Sequence, residues 1–394
     1  MDDTAPKHVI VVGGGIIGAS LAWYLAALGA HVTVIAPPDG LGGTATPNSF
    51  AWINANRGNA RHYYELRRRS MAHWRVLSDE ASGVPGLAKL VRWTGTIQWN
   101  EAPADLERFV KEHSSWGYRA ARIDNRDILQ KRETHLRASA LAASGWAVAT
   151  PDEGSVEPAL AAKLLLKQAA AVHGSVSVLA ATVTRLVVSD GRVAGVVVSS
   201  TQDKESAEET LTADHVAVAA GLGSVTLCAS VGIDLPVYGR PGLLAHSKPI
   251  THIRLLNGIV LSAGPHVRQT VDGRLVVGAD FAGGVGGGGG GGLTDSDEQR
   301  QAGEALLAKA KDLFYPEDAK LIEFDFATVG ERPQPRDGLP IIAANAVPGL
   351  AVAVMHSGVT LAPIVGDLLA REIVLGEVDE ALEAFDLKRF GNVR

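Results

Sequence analysis

A glycine-rich turn between two hydrophobic segments is the feature that most restricts how this chain can fold. Residues His8–Val12, HVIVV, have the composition of a buried parallel strand, and the turn 13–18, GGGIIG, follows directly. Residues 19–28 then predict a helix, and 31–35, HVTVI, predict a second strand. A strand, a glycine turn, a helix and a second strand in this order predict a βαβ unit, the usual start of a doubly wound sheet.

The glycines of this turn are expected to have separate physical roles. Gly13 permits the tight turn and Gly15 lets the backbone approach a diphosphate, while Gly18 lets the helix pack closely against the strand. The first N–H groups of the helix, at Ile16 and Ile17, lie at the positive end of the helix dipole and would face the phosphates. The turn therefore predicts a dinucleotide site.

The acidic residue that usually ends the second strand is missing. In this type of unit an Asp or Glu binds the adenosine ribose, but here the strand ends at Ile35 and Ala36, before two prolines and Asp39. Either Asp39 reaches back, or backbone and water hold the ribose. We favour the second interpretation, because the two prolines stiffen the chain away from the strand end.

Length, composition and charge exclude several classes of protein. With 394 residues the chain is longer than one core usually organises, so two domains are expected. A net charge of −6 gives no field that attracts nucleic acid, and no segment has the roughly 20 apolar residues of a membrane span. The single cysteine, Cys228, and a start unlike a signal peptide predict a cytoplasmic protein. The basic run Arg67–Arg69 predicts a solvated or domain-bridging helix face.

Two other segments are rich in small residues. The stretch 41–54, LGGTATPNSFAWIN, would let a bulky ligand lie against the backbone, with Thr44 and Thr46 as possible donors to phosphate; the alternative is an ordinary loop that leads into a strand. Near the other end, a predicted strand at 350–354 precedes a small-residue turn and a helix that begins near Val359. The positive end of that helix would face whatever lies before it.

Segments along nearly the whole chain resemble the family of FAD-dependent glycine oxidases and D-amino-acid oxidases, which includes sarcosine oxidases and D-amino-acid dehydrogenases. The resemblance is carried by GGGIIG at 13–18, TPDEGSVEP at 150–158, VAVAAGLGS at 216–224, paired strands at 266–268 and 272–278, GERPQPRDGLPII at 330–342 and MHSGVTLAPIVGDLLA at 355–370. Each segment alone is a modest signal, but their order and spacing together are specific.

The resemblance implies an α/β fold of two interleaved domains. A Rossmann-like FAD-binding domain would take residues 1–80, 151–235 and 325–394. A substrate-binding domain of α+β type, built on an antiparallel sheet, would take 81–150 and 236–324.

An uninterrupted run of glycines at 286–292 precedes a helix predicted at 294–314, with Thr294 or Asp295 as its cap. The run has no core-forming side chains and maximal backbone freedom. A surface loop is therefore the first interpretation, and a lid over the active site is the second.

The resemblance also implies where the cofactor and the substrate lie. Arg332, in the Gly-x-Arg-Pro motif, would bind the substrate carboxylate, since a guanidinium matches a carboxylate in planar geometry. The alternative is that Arg332 pairs with a structural acid such as Asp337 or Glu331. The other candidate catalytic residues are Trp52, expected beside the flavin, His356, in the loop that passes the flavin, and Tyr238. Structural packing is the alternative for Trp52 and His356. Contacts to FAD are expected from Gly13, Gly15, Ile16, Ile17, Gly18, Gly43, Thr44, Ala45, Thr46, Asn48, Ala51, Trp52, Val183, Ala220, Gly221, Arg332, Ser357, Gly358, Val359, Thr360 and Leu361.

The implied reaction is oxidation of the C–N bond of a small amine or amino acid. Hydride would pass to N5 of a non-covalently bound FAD, and the imine would hydrolyse, with O₂ or another acceptor taking the electrons. Non-covalent binding is expected because no Cys or His stands where relatives attach the flavin. Three alternatives remain: a dehydrogenase or 2-hydroxy-acid oxidant on the same scaffold, a flavin-binding subunit without catalysis, and an NAD-dependent dehydrogenase, which fits only the first βαβ unit.

Overall fold

The computed structural model describes residues 6–41, 43–56, 59–99, 102–200, 208–279 and 296–391. Within them the strands are β1 His8–Val12, β2 His31–Ala36, β3 Trp52–Ile53, β4 Val91–Arg92, β5 Thr96–Gln98, β6 Ala121–Asp124, β7 Trp146–Thr150, β8 Gly154–Val156, β9 Val176–Ser189, β10 Arg192–Ser200, β11 Glu209–Thr212, β12 His215–Val218, β13 Val237–Ser247, β14 Ile259–Leu261, β15 Pro265–Gln269, β16 Leu275–Ala279, β17 Phe324–Pro335, β18 Ile341–Val347 and β19 Leu350–Val354.

The α-helices of the same residues are α1 Ile16–Ala27, α2 Arg61–Leu77, α3 Pro103–Ser115, α4 Asn125–Asp127, α5 Pro158–His173, α6 Gly223–Ala229, α7 Ser296–Lys311, α8 Pro316–Ala319 and α9 Gly358–Leu375. Among these helices, none has both the length and the hydropathy that a bilayer crossing requires.

The predicted βαβ unit lies at the centre of an eight-stranded sheet. Its strand order is β11-β10-β9-β2-β1-β12-β19-β18, and the five strands from β9 to β19 run parallel. Both faces of β1 are covered: Val9 and Val11 belong to the core formed with α1, α5 and α9, while Ile10 and Val12 belong to a core on the opposite face. Burial on both faces explains why β1 is continuously apolar, and the doubly wound α/β prediction is confirmed.

A second eight-stranded sheet has the order β17-β13-β16-β15-β14-β5-β7-β6. Neighbouring strands in this sheet are antiparallel, except that β14 and β5 are parallel. The helix α7 packs on this sheet, and their apolar side chains form a separate core. The predicted antiparallel sheet is therefore present.

The chain passes between the two large sheets several times. The first sheet takes strands from 8–36, 176–218 and 341–354, and the second takes strands from 96–150 and 237–335. The strand β17 falls in a segment predicted for the FAD-binding domain, yet it pairs along its length with β13 of the second sheet. The domain boundaries stay a proposal, and the pairing of β17 favours starting the last FAD-binding segment after Pro335.

The glycine run at 286–292 and the caps expected at Thr294 or Asp295 lie outside the described residues. The described part of the predicted helix is α7, which ends at Lys311. The loop and lid interpretations of the glycine run therefore stay predictions.

Candidate active site

A cleft of about 910 Å³ opens at the carboxyl edge of the first sheet. Three of its lining segments directly follow parallel strands: 13–17 follows β1, 219–221 follows β12 and 355–360 follows β19. Ligands of doubly wound sheets bind at this edge, and the volume is typical of a small-molecule site. Strands β13 and β17 of the second sheet supply the opposite wall.

Two glycines of the first turn are required by the fold itself. Gly13 has a φ of +115°, and a Cβ there would lie 2.5 Å from the carbonyl oxygen of Ala219. A Cβ on Gly18 would lie 2.0 Å from the carbonyl oxygen of Gly13. Gly15 differs, because a Cβ there would meet its nearest neighbour, Thr46 Oγ1, at an ordinary 3.4 Å. The open space above Gly15 therefore belongs to the cleft.

The helices α1 and α9 both begin in the cleft without a side-chain cap. The first of them follows Gly15, which has no side chain to offer, and the N–H of Ile16 donates to Thr46 Oγ1 at 3.2 Å. The second follows Ser357, whose hydroxyl makes no capping bond. Two helix starts whose own N-cap residues make no capping bond therefore carry partial positive charge into one cleft. They fit FAD, with the diphosphate at α1 and the electron-rich N1–C2=O edge of the ring at α9.

Most of the predicted cofactor positions come together on the lining of this cleft. These are Gly13, Gly15, Ile16, Ile17, Gly43, Thr44, Ala45, Thr46, Asn48, Ala51, Trp52, Ala220, Gly221, Arg332, Ser357, Gly358, Val359 and Thr360. Gly18 and Leu361 lie behind the lining in the packed layer, and Val183 lies on β9 outside it. Ala36 lines the cleft where the ribose acid is usually found, and the side chain of Asp39 lies outside the described part.

Arg332 lies on β17 with its guanidinium against the backbone of β13. Its Nη2 donates to the carbonyl of Pro241 at 3.0 Å, and its Nε donates to the carbonyl of Arg240 at 3.4 Å. Asp337, one of the structural acids considered as an alternative partner, instead accepts from Arg389 at 2.7 Å. The two carbonyl contacts orient the guanidinium on the wall of the cleft.

Gly242 provides the surface on which this guanidinium rests, since a Cβ at that position would lie 2.9 Å from Arg332 Nη2. We expect Gly242→Ala to displace the guanidinium rather than the backbone, and to raise KM for a carboxylate substrate about tenfold through weakened charge-assisted hydrogen bonds. Steady-state kinetics on the FAD-loaded variant measures this. Gly264→Ala is the matched control, because a Cβ there has no neighbour within 4 Å. Equal KM values for Gly242→Ala and the wild type would contradict the expectation.

A buried carboxylate holds Trp52, which lines the cleft. Trp52 Nε1 donates to Glu153 Oε2 at 2.7 Å, Asn56 Nδ2 donates to Glu153 Oε1 at 3.1 Å, and the Tyr118 hydroxyl donates to the same carboxylate. Burial raises the pKa of Glu153, and hydrogen bonds to the carboxylate, those of Tyr118, Trp52 and Asn56 among them, oppose that rise. Trp52 is therefore fixed in position by hydrogen bonding and not by apolar packing alone. The role of Glu153 was not predicted, although it stands in the TPDEGSVEP segment.

Arg67 is buried, so of the two interpretations of Arg67–Arg69 the solvated face is wrong at this residue, and the domain-bridging face stays a prediction. Its Nη1 donates to Ser357 Oγ at 2.8 Å and its Nη2 donates to Asn54 Oδ1 at 2.6 Å. The guanidinium lines the cleft beside the start of α9. Helical spacing in the sequence could have indicated that Arg67 is buried, because it lies on the same face as the apolar residues of α2. The buried face comprises Tyr63, Tyr64, Leu66, Arg67, Ser70, Met71, Trp74 and Leu77.

His356 lines the cleft, and only one of its two imidazole nitrogens has a polar neighbour in the described part of the chain. Its Nδ1 is 3.4 Å from Ser357 Oγ, and no hydrogen-bond partner for its buried Nε2 is found among the described residues. Burial, followed by the positive charges of Arg332, Arg67 and Arg240, lowers the pKa of His356 to about 4. The imidazole is therefore neutral at pH 7.

The lowered pKa of His356 predicts acid sensitivity of the apoprotein. Below about pH 6.5 the unfolded chain binds a proton at this residue, while the folded protein does not until about pH 4, so stability falls as pH decreases through this window. Between pH 7 and 5, His356→Asn should lose about 2 kcal/mol less unfolding free energy than the wild type. Urea unfolding at both pH values measures the difference, with exposed His252→Asn as the control. Identical losses in His356→Asn and wild type would be evidence against the burial described.

Of the four candidate catalytic residues, Trp52, Arg332 and His356 line the cleft and Tyr238 does not. It lies on β13 with 52% of its surface exposed. It is two residues from Arg240, so both side chains leave the strand on the same face. A role at the mouth of the cleft stays a prediction.

These features define a dinucleotide-binding α/β fold with two helix starts in one cleft. The chain belongs to the FAD dependent oxidoreductase (DAO) family, whose model matches residues 8–372. FAD is therefore its cofactor, and the resemblance noted from sequence is confirmed, whereas an NAD-dependent dehydrogenase is not supported.

The similar proteins cover almost the full length of the chain. It is 25% identical over 391 residues both to a glycine oxidase of Bacillus licheniformis and to one of the subunits of an opine oxidase of Rhizobium meliloti, with 96% of each chain covered. The crystal structure of glycine oxidase from Geobacillus kaustophilus matches with a TM-score of 0.77 at 24% identity, covering 97% of this chain and 99% of that one. The structural likeness shows the fold.

Proposed function

We propose that the protein oxidises the C–N bond of an amine that carries a carboxylate. The observation that carries this proposal is the placement of Arg332, whose guanidinium lies on the wall of the cleft near the start of α9. A guanidinium there is suited to bind a carboxylate in two parallel hydrogen bonds. The names of the similar proteins, a glycine oxidase and one component of an opine oxidase, support the same substrate type.

FAD, when bound, supplies the two-electron acceptor. The chain's own residues bind and orient the substrate: Arg332 holds the carboxylate, and Trp52, fixed by Glu153, limits where the rest of the molecule can lie. The imidazole of His356 lines the cleft, is neutral at pH 7 and limits the space in which the amine can lie. Fixing the reacting carbon in this way accounts for rate enhancement without a strong protein base.

We also propose that O₂ or another electron acceptor reoxidises the reduced cofactor. We propose a cytoplasmic location as well. The chain has a single, buried cysteine and so cannot form an internal disulfide, which fits a reducing compartment. The rate at which air restores the oxidised spectrum separates an oxidase from a dehydrogenase.

An anaerobic substrate panel tests the proposed reaction. The FAD-loaded protein is mixed with glycine, sarcosine, D-amino acids, opines, larger secondary amines and a 2-hydroxy acid, and the visible absorbance of the flavin is followed. We expect at least one amine to remove this absorbance, with an oxo acid or aldehyde as product. Dithionite is the positive control. Reduction by dithionite and by no amine would reject the proposal, and reduction by a 2-hydroxy acid alone would reassign the reaction.

A further inference from the structure

Positive charge is concentrated at the substrate end of the cleft. Among the described residues that line it there is no Asp, Glu or Lys, whereas Arg67, Arg240 and Arg332 all line it. All three act on His356, where they add to the effect of burial in lowering its pKa. The two phosphate charges of FAD are expected beside α1, at the other end. Three guanidinium groups therefore lie in this region. Only that of Arg332 has a proposed anionic partner, the substrate carboxylate.

Arg240 and Arg332 are directly opposite each other on the antiparallel strands β13 and β17. Opposite residues share a face of the sheet, with Cα atoms about 5 Å apart. Like charges in this arrangement destabilise a sheet. A pair of opposed arginines on a cleft wall is therefore a cost to the folded protein that a bound dianion would offset.

The three arginines differ in how many of their donors the protein itself uses. Arg67 is buried and donates to Asn54 and Ser357, both neutral. Arg240 is exposed, and no side-chain partner for its guanidinium is found in the described part of the chain. Arg240 also lines the cleft, so its guanidinium is available to a ligand there.

We propose, on the basis of the function proposed above, that the substrate carries two carboxylates, of which Arg332 binds one and Arg240 the other. The substrate class is an amine joined to two carboxylic acid groups. A secondary amine that links two carboxylates and an amino dicarboxylic acid share this chemistry, and the experiment below distinguishes them.

The test measures binding of two unreactive thioethers to the FAD-loaded protein. Thiodiacetate has sulfur in place of the amine and two carboxylates, while (methylthio)acetate has one, and both are titrated through the change in flavin absorbance. The wild type should bind thiodiacetate at least about tenfold more tightly, as expected for one added charge-assisted contact. In Arg240→Gln the ratio of the two dissociation constants should fall to about one. Arg185→Gln, on an exposed position of β9 away from the cleft, should keep the wild-type ratio.

Anaerobic reduction by iminodiacetate, aspartate, glutamate, glycine and sarcosine then identifies the class. Faster reduction by iminodiacetate than by aspartate or glutamate supports the secondary amine, and the reverse order supports the amino dicarboxylic acid. Equal binding of the two thioethers to the wild type, or an unchanged ratio in Arg240→Gln, would overturn the proposal. If no amine reduces the flavin but the preference for thiodiacetate persists, the two-carboxylate site stands and the proposed C–N oxidation fails.

Discussion

Gly15→Ala is expected to give a folded protein that binds FAD about ten- to a hundredfold more weakly than the wild type. A Cβ at this position fits the protein, because its nearest neighbour would be Thr46 Oγ1 at 3.4 Å. It would however fill the space in which a diphosphate approaches the start of α1, where the N–H of Ile16 donates to Thr46 Oγ1 and the N–H of Ile17 is the next donor. Hydrogen bonds to a charged group contribute about 1.5–3 kcal/mol, and losing one of them corresponds to the expected loss of affinity.

Two other glycines provide the comparison that separates ligand binding from folding. Gly18→Ala would place a Cβ 2.0 Å from the carbonyl oxygen of Gly13, so its thermal unfolding midpoint should fall. Gly264→Ala has open space and should match the wild type in both respects. FAD fluorescence titrations and thermal unfolding of the three apoproteins measure the two effects. Wild-type FAD affinity in Gly15→Ala would show that the diphosphate does not lie at the first turn.

Arg332→Gln is expected to lower kcat/KM for a carboxylate-bearing amine by about two to three orders of magnitude. Removing one partner of a desolvated, hydrogen-bonded charge pair costs about 2–5 kcal/mol, and each 1.4 kcal/mol is a factor of ten. FAD content should stay near the wild-type level, because the guanidinium contacts the β13 carbonyls and is not part of the first turn, where the diphosphate is expected.

An amine without a carboxylate is the internal control for Arg332→Gln. Its kcat/KM should be nearly the same in the variant and the wild type, whereas Arg332→Lys should recover only part of the activity on the carboxylate substrate, because an ammonium cannot form the planar two-bond contact. Steady-state kinetics with both substrates measures kcat/KM for each variant. An equal loss for both substrates would assign Arg332 a structural role.

The parts of the fold that the sequence predicted correctly depend on local patterns. The strand at 350–354 has the predicted bounds, α9 begins one residue before Val359, and the first turn opens α1. In each case a β-branched run, small residues and a helical period follow one another within a few residues. Such signals do not depend on what packs against them.

The residues that sequence reasoning missed depend on distant parts of the chain. Arg67 stands in a basic run typical of a solvated face, yet it is buried where α2 packs against α9, and it donates to Ser357, 290 positions away in the sequence. Glu153 binds Trp52, which is 101 positions away in the sequence. Arg240 lies opposite Arg332 because of a strand register between segments 92 positions apart. No local pattern encodes these pairings, and the same reason explains why β17 joins the second sheet.

Cofactor binding and the proposed chemistry both depend on two helix starts that hold one FAD in one cleft. The most direct test is the absorption spectrum of the protein after incubation with excess FAD and removal of free ligand by gel filtration. We predict a yellow protein with one FAD per chain, and a flavin that separates from the chain on denaturation because it is not covalently attached. A protein that stays colourless after this treatment would contradict this placement of the cofactor.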